Sequence, residues 1–157
     1  MPPERDPLLA GETAAILAAE PGWLVVSTAS GLQAWLEAAG RHGSREEVTG
    51  LLRAARVAAR GAKGVGALRA LGISPEFVSP QETMDDVCSW LAGRTGPGDV
   101  LAVQLHGGEV VGTLDLLRRQ AARVLQVAPY RWVLPADTAP AQDLVRQLAE
   151  GALAAVV

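Results

Sequence analysis

The chain has 157 residues, of which 49% are hydrophobic and 20% charged, a composition typical of a globular domain with its own core. Its net charge of −3 argues against a nucleic-acid partner, since phosphate binding needs a basic face. Cys88 is the only cysteine and the two histidines lie far apart, which excludes an internal disulfide and a zinc site of the usual spacing. The sequence shows no signal-peptide core and no apolar run of membrane-spanning length, so we expect a cytoplasmic protein without a membrane partner.

Short apolar runs, the first of them the β-branched WLVVSTA, predict the strands. In chain order the predicted strands are residues 23–29, 56–59, 76–79, 100–106, 123–132 and the beginning of a sixth at 154–157. Helical patterns lie between them, and the clearest has Leu32, Trp35, Leu36 and Ala39 on one face. The predicted helices are residues 13–19, 32–39, 46–56, 65–71, 83–91, 110–120 and 141–150.

This alternation predicts an α/β fold with parallel strands and right-handed crossovers. We expect a flavodoxin-like, doubly wound parallel sheet with helices on both faces. A proline-rich stretch from Pro129 to Pro140 predicts a boundary beyond which a partial second lobe of the same type begins.

Three predicted strands run into small, glycine-bearing loops: STASG at 27–31, RGAKG at 60–64 and QLHGG at 104–108. In open α/β sheets such loops share one edge, and each helix that follows presents free N–H groups to anions. Lys63 adds a full positive charge beside one helix start. The pattern predicts a crevice for a ligand with several carboxylates or phosphates, although a glycine after a strand also serves a simple tight turn.

Other chemistries find no support in the sequence. There is no P-loop and no nucleophile elbow, and Gly64-Val65-Gly66 lacks the third glycine of a dinucleotide fingerprint. We interpret Glu82, Asp85 and Asp86 as helix caps and solvated charges, and Cys88 as a packed core thiol.

Four segments in order resemble uroporphyrinogen-III synthases of the high-GC bacterial subtype. They are WLVVSTASGLQAWLEAAG at 23–40, RVAARGAKGVGALRALGI at 56–73, VLAVQLHGG at 100–108 and RVLQVAPYRW at 123–132. That family has two flavodoxin-like lobes joined by a hinge, one contiguous and one split around it. The resemblance therefore implies an N-terminal lead at 1–12, the contiguous lobe at 13–130, and the hinge with the first helix and strand of an incomplete split lobe at 131–157.

The resemblance also implies a function, namely cyclisation of hydroxymethylbilane with inversion of the last pyrrole ring, in haem biosynthesis. The chain would be an incomplete, weakly active or inactive portion of that lyase, and its partners would be a linear tetrapyrrole rich in carboxylates and the remainder of the second lobe. No metal or other cofactor is implied. The hinge tyrosine of the family, a candidate proton donor, corresponds to Tyr130. The implied substrate-binding residues are Ser27, Thr28, Gly61, Lys63, Gly64, Gln104, His106, Gly107 and Arg131.

Two departures from the family pattern leave alternatives open. Gly64 stands where the family has a helix-start threonine, and Ser27-Thr28 reverses the order of the family's Thr-Ser turn. The chain could be a non-catalytic module of the same fold that senses a tetrapyrrole and controls a partner. An unrelated flavodoxin-like binder of a phosphorylated ligand is the third interpretation.

Overall fold

A central strand of four buried apolar residues organises the sheet of the computed structural model, which describes residues 7–107, 112–120, 123–130 and 136–151. The strands are β1 (Trp23–Val26), β2 (Arg56–Ala59), β3 (Phe77–Val78), β4 (Val100–Gln104) and β5 (Arg123–Val127). They lie in the order β3-β2-β1-β4-β5, and all neighbours are parallel. The predicted doubly wound parallel sheet is confirmed; β1 lies here between β2 and β4, whereas in flavodoxin itself it lies between β2 and β3.

The described residues form seven helices, and the first six of them cover the two faces of this sheet. They are α1 (Pro7–Ala19), α2 (Ala29–Arg41), α3 (Arg45–Ala54), α4 (Ala62–Ala70), α5 (Met84–Ala92), α6 (Asp115–Arg119) and α7 (Ala139–Ala149). Alternate side chains of β1 point to opposite faces, so Leu24 and Val26 pack under α1 to α4 while Trp23 and Val25 pack under α5 and α6. Two apolar cores therefore sandwich the sheet, as the continuous apolar strands predict.

The N-terminal helix belongs to this packing. The sequence places a lead at residues 1–12, but α1 already begins at Pro7 and Leu9 is buried in the core. The Oε2 atom of Glu12 accepts a hydrogen bond of 3.0 Å from the N–H of Ala128, just after β5. Apolar contacts and this hydrogen bond bind the first turns of α1 to the sheet, while the division into lead and lobe at residue 12 stays a prediction.

Several strands end earlier in the structure than predicted, and several helices begin earlier. Strand β1 stops at Val26, and β5 stops at Val127 instead of continuing through Pro129. Helices α2 and α4 begin three residues before their predicted starts at 32 and 65, directly after Thr28 and Gly61. Most residues of the loops predicted at 27–31 and 60–64 therefore belong to the first turns of α2 and α4.

Some predicted elements cannot be compared in full. The predicted helix 110–120 corresponds to α6 only at Asp115–Arg119, and residues 108–111 lie outside the described residues. The predicted sixth strand at 154–157 also lies outside them, and the lobe boundary after residue 130 stays a prediction. None of the described helices is both long and apolar enough to cross a membrane.

Candidate anion-binding cavity

A cavity of about 700 Å³ opens at the carboxyl ends of β1 and β2, between the starts of α2 and α4. It is lined by Ser27, Thr28, Ala29, Ser30, Gln33, Arg60, Gly61, Ala62, Lys63, Gly64 and Glu82. Five of the predicted substrate-binding residues, Ser27, Thr28, Gly61, Lys63 and Gly64, are thus brought together. The parallel pairing of β1 and β2 causes this, because it places both βα loops at the same edge of the sheet.

The start of α2 presents two open N–H groups to the cavity. Thr28 is the N-cap, and its Oγ1 accepts a 3.0 Å hydrogen bond from the N–H of Gly31. The next donor, the N–H of Leu32, bonds to the carbonyl of Thr28. The backbone N–H groups of Ala29 and Ser30 have no partner among the described residues, as expected for a first helical turn.

The start of α4 has the same arrangement with one difference. Gly61 is an extended N-cap without a side-chain cap, and the N–H groups of Lys63 and Gly64 have no partner within the described part of the chain. The first N–H, that of Ala62, donates instead to Oε1 of Glu82 at 3.2 Å. A carboxylate of the protein itself therefore sits at this helix start.

The charges around the cavity suit an anionic ligand. Lys63 is exposed in the first turn of α4, and its ammonium group makes no hydrogen bond or ion pair with any residue that the structure describes. Arg60 directly follows β2 and lines the same cavity. The positive ends of two helix dipoles, an ammonium and a guanidinium converge on one space, which favours ligands with several negative groups.

Gln104 holds the first of these loops from behind. Its side chain is only 1% exposed, and its Oε1 accepts 3.2 Å hydrogen bonds from the N–H groups of both Ser27 and Thr28. Its Nε2 donates to the carbonyl of Leu105. Gln104 therefore lies in the crevice between β1 and β4, where it positions the loop, and it does not line the cavity.

Ser27 is a wall residue of the cavity and carries a buried hydroxyl group. The residue is 3% exposed, and its Oγ is buried without a hydrogen-bond partner in the part of the chain described. Buried hydroxyls normally find partners, so an isolated one in a cavity wall indicates a group that a ligand or water satisfies.

His106 is half-buried just beyond β4, and its Nδ1 is buried with no hydrogen-bond partner among the described residues. Burial lowers the pKa of His106, and the positive charge of Arg60 lowers it further. His106 is thus close enough to the cavity's arginine to feel its charge, although it is not part of the wall.

The other predicted site residues are less close to this space. Gly107 is buried with a φ of 69°, which glycine adopts freely, and it does not line the cavity. Tyr130 is half-buried beyond β5 and is likewise not in the cavity wall. Arg131 lies outside the described residues.

Cys88 is a core residue, 1% exposed against α6, and burial raises the pKa of its thiol to about 11. It is therefore unsuited to act as a nucleophile. No group of three or more metal-ligating side chains converges anywhere in the described ranges.

Six residues of the cavity wall were not among the predicted substrate-binding residues, namely Ala29, Ser30, Gln33, Arg60, Ala62 and Glu82. Glu82 was interpreted as a solvated charge of α5, because nothing in the sequence pairs it with a backbone group twenty residues earlier. Arg60 carried a usable signal, since it directly precedes Gly61 in the loop after a buried strand.

Known proteins resemble this chain over nearly its whole length. A family model described as uroporphyrinogen-III synthase HemD matches residues 2–157. A mutant uroporphyrinogen III synthase from the extremely thermophilic bacterium Thermus thermophilus superposes with a TM-score of 0.72 at 28% identity, over 92% of this chain and 54% of that one. The wild-type protein from that bacterium gives a TM-score of 0.68 at 28% identity, over 94% of this chain and 55% of that one.

A curated relative is similar in sequence. The uncharacterized protein YjjA of Bacillus subtilis (strain 168) is 30% identical over 126 residues, which cover 80% of this chain and 46% of that protein. The chain therefore spans about half the length of the relatives and solved structures it matches.

Proposed function

Because the chain belongs to the uroporphyrinogen-III synthase family, we propose that it supplies one substrate-binding wall of a cytoplasmic enzyme that cyclises hydroxymethylbilane with inversion of the last ring. The observation that carries this proposal is the pair of open helix starts. Four N–H groups without a partner in the described structure, those of Ala29, Ser30, Lys63 and Gly64, belong to residues that line one cavity together with two cationic side chains. A linear tetrapyrrole with eight carboxylates has the charge and length to bridge both starts.

In this proposal the chain works by holding its substrate. The helix starts and Lys63 bind carboxylates of successive rings, and fixing those rings brings the two ends of the linear chain together. Holding reacting groups near each other removes much of the entropic barrier to ring closure. Water-excluding residues and a proton donor must then assist loss of the terminal hydroxyl.

Tyr130 is the proposed donor of that proton. It follows β5 by three residues, directly before the predicted hinge that begins at residue 131. Tyr130→Phe removes only the hydroxyl, so turnover should slow while substrate binding is kept. Full activity of that variant would remove Tyr130 from the mechanism.

The test of the proposed function supplies freshly made hydroxymethylbilane to this chain and, in parallel, to a protein that contains both lobes. Oxidised products are then resolved by chromatography. Excess isomer III from the two-lobed protein supports the proposal, and its absence from this chain alone would show that the second wall is required. Isomer I alone from both proteins would contradict an enzymatic function.

A tetrapyrrole-sensing module of the same fold is the second candidate. Gly64 favours it, because the family's helix-start threonine is replaced by a residue without a hydroxyl. A β-carbon at Gly64 would lie 3.6 Å from Cγ1 of Val26, an ordinary contact, so packing does not require the glycine. This candidate predicts tight binding of the cyclic product with no change in the isomer ratio.

A further inference from the structure

Glu82 reaches across the cavity from the turn before α5 to the start of α4. Its Oε1 accepts the 3.2 Å hydrogen bond from the N–H of Ala62. A β-carbon at Gly61 would lie only 3.0 Å from Cδ and Oε1 of Glu82, so the carboxylate packs directly on the glycine backbone. The side chain is exposed to solvent and lines the same cavity as Lys63.

The backbone of Glu82 is held in an unusual conformation. Its φ is 55°, in the left-handed region that non-glycine residues seldom adopt. The turn is fixed on both sides, because the N–H of Glu82 donates to the carbonyl of Ser79 at 3.3 Å and the N–H of Thr83 donates to Oγ of Ser79 at 3.1 Å. This turn directs the carboxylate towards α4.

A second observation concerns the wall of the same cavity. Ser27 lines the same cavity from the end of β1, is only 3% exposed, and has an Oγ without a hydrogen-bond partner in the described structure. The wall of the cavity therefore includes one helix-start donor satisfied by a carboxylate and one residue whose buried hydroxyl has no partner in the described part of the chain.

We propose that Glu82 occupies the position of one ligand carboxylate at the start of α4 and thereby sets the affinity of the cavity for polycarboxylates. This inference rests on the proposed function, because the ligand class is that of its substrate. A ligand carboxylate that binds Ala62 must displace Glu82, and ligands that bind elsewhere in the cavity meet its negative charge. Glu82 therefore weakens binding and favours release of the product.

Two substitutions separate the negative charge of Glu82 from its hydrogen bond with the N–H of Ala62. Glu82→Gln keeps an oxygen that accepts from Ala62 and removes the charge, so the cavity should bind anions more tightly. Glu82→Ala removes both the charge and the acceptor, so the N–H of Ala62 becomes available to the ligand. Glu37→Gln, on an exposed position of α2 outside the cavity wall, makes the same change in net charge and is the matched control.

The experiment measures binding of uroporphyrin III and of tricarballylate, a small tricarboxylate, to the full chain and to the three variants at low salt. Thermal unfolding of each variant verifies that it is folded. Glu82→Gln should bind both ligands about two- to fivefold more tightly than the unmodified chain, the range expected of a partly screened charge interaction. Glu82→Ala should bind at least as tightly as Glu82→Gln, and Glu37→Gln should match the unmodified chain.

The two ligands separate this inference from the proposed function. If uroporphyrin III binds and Glu82→Gln leaves its affinity unchanged or weaker, the role of Glu82 is overturned while the proposed function stands. If Glu82→Gln tightens tricarballylate binding but no form of the chain binds uroporphyrin III, the role of Glu82 is supported and the tetrapyrrole function fails. Absence of binding of both ligands to every form overturns both.

Discussion

Gln104 illustrates how one buried side chain shapes the cavity. The resemblance to the family implied a substrate contact for this residue, which lies in the loop predicted at 104–108. In the structure its Oε1 accepts hydrogen bonds from the N–H groups of Ser27 and Thr28, in place of carbonyl groups on a neighbouring strand. This explains why β1 ends at Val26. The glutamine was a useful signal, but the sequence does not show that its side chain faces the loop after β1. Only the pairing of β1 with β4 brings the two loops together.

Replacing Gln104 with Leu should destabilise the fold strongly. The N–H groups of Ser27 and Thr28 would lose their acceptor, and leaving two such donors unsatisfied costs about 2–4 kcal/mol of unfolding free energy. Urea unfolding measures the change. Gln33→Leu, at an exposed position of α2, is the control and should alter stability by less than about 0.5 kcal/mol. Equal effects of the two changes would contradict the positioning role.

Gly31 should be sensitive to a single added methyl group. A β-carbon there would overlap Nε2 and Cδ of Gln104 and lie 2.7 Å from Oγ1 of Thr28. We expect Gly31→Ala to cost about 1–3 kcal/mol, as overpacking does. Gly50→Ala in α3 meets nothing within 4 Å and should stabilise by about 0.4–1 kcal/mol. Thermal unfolding of the two variants compares them, and a stabilised Gly31→Ala would contradict the close packing at α2.

His106 should make the fold sensitive to mild acid. Its pKa is lowered in the folded chain by burial and by Arg60, so the unfolded chain binds more protons as the pH falls through about 6.5, the ordinary histidine value. The free energy of unfolding should therefore decrease from pH 7.5 to pH 5.5. His106→Gln should lose less stability over that interval in urea unfolding. A larger loss of stability in His106→Gln would contradict this prediction, because it would show that folding favours the protonated form of His106.

At the scale of elements, sequence patterns located strands and helices well and located their ends poorly. The alternation of apolar runs and helical faces predicted β1 to β5, because buried parallel strands are continuous apolar segments. The ends of strands and helices depend on hydrogen bonds from side chains in neighbouring strands or in the adjoining loop. Thr28 and Thr83 cap α2 and α5 through hydrogen bonds from Gly31 and Asp86, so each helix begins directly after its threonine.

Thr28 should affect stability through the start of α2. Thr28→Ala removes the acceptor for the N–H of Gly31 and should cost about 1 kcal/mol, as loss of an N-cap typically does. Thr28→Ser keeps the oxygen and should stay close to the unmodified chain. Chemical denaturation measures both variants, and a Thr28→Ala chain as stable as Thr28→Ser would show that the cap does not hold this helix.

At the scale of the whole molecule, the position of the cavity follows from the parallel sheet, while its detailed composition does not. The sequence predicted that loops after β1 and β2 share an edge, and Ser27, Thr28, Gly61, Lys63 and Gly64 do line one cavity. It did not predict Glu82, whose contact with Ala62 depends on a left-handed turn and on the β2–β3 pairing. Contacts between distant segments carry no local pattern.

The chain spans about half the length of its solved relatives. The exposed apolar residues Leu144, Val145 and Leu148 of α7 lie in the segment that the resemblance assigns to a second lobe. A longer protein is therefore the correct material for turnover measurements, while this chain suffices for mapping the carboxylate contacts.

The most direct test of the account follows the backbone amides of this chain by NMR during titration with uroporphyrin III. The account predicts the largest shift changes at Ala29, Ser30, Lys63 and Gly64, whose N–H groups are open to the cavity. Lys63→Ala should weaken the titration and Arg53→Ala, on α3, should not. Saturable shifts confined to other surfaces, or none at these four amides, would contradict the placement of the ligand at the two helix starts.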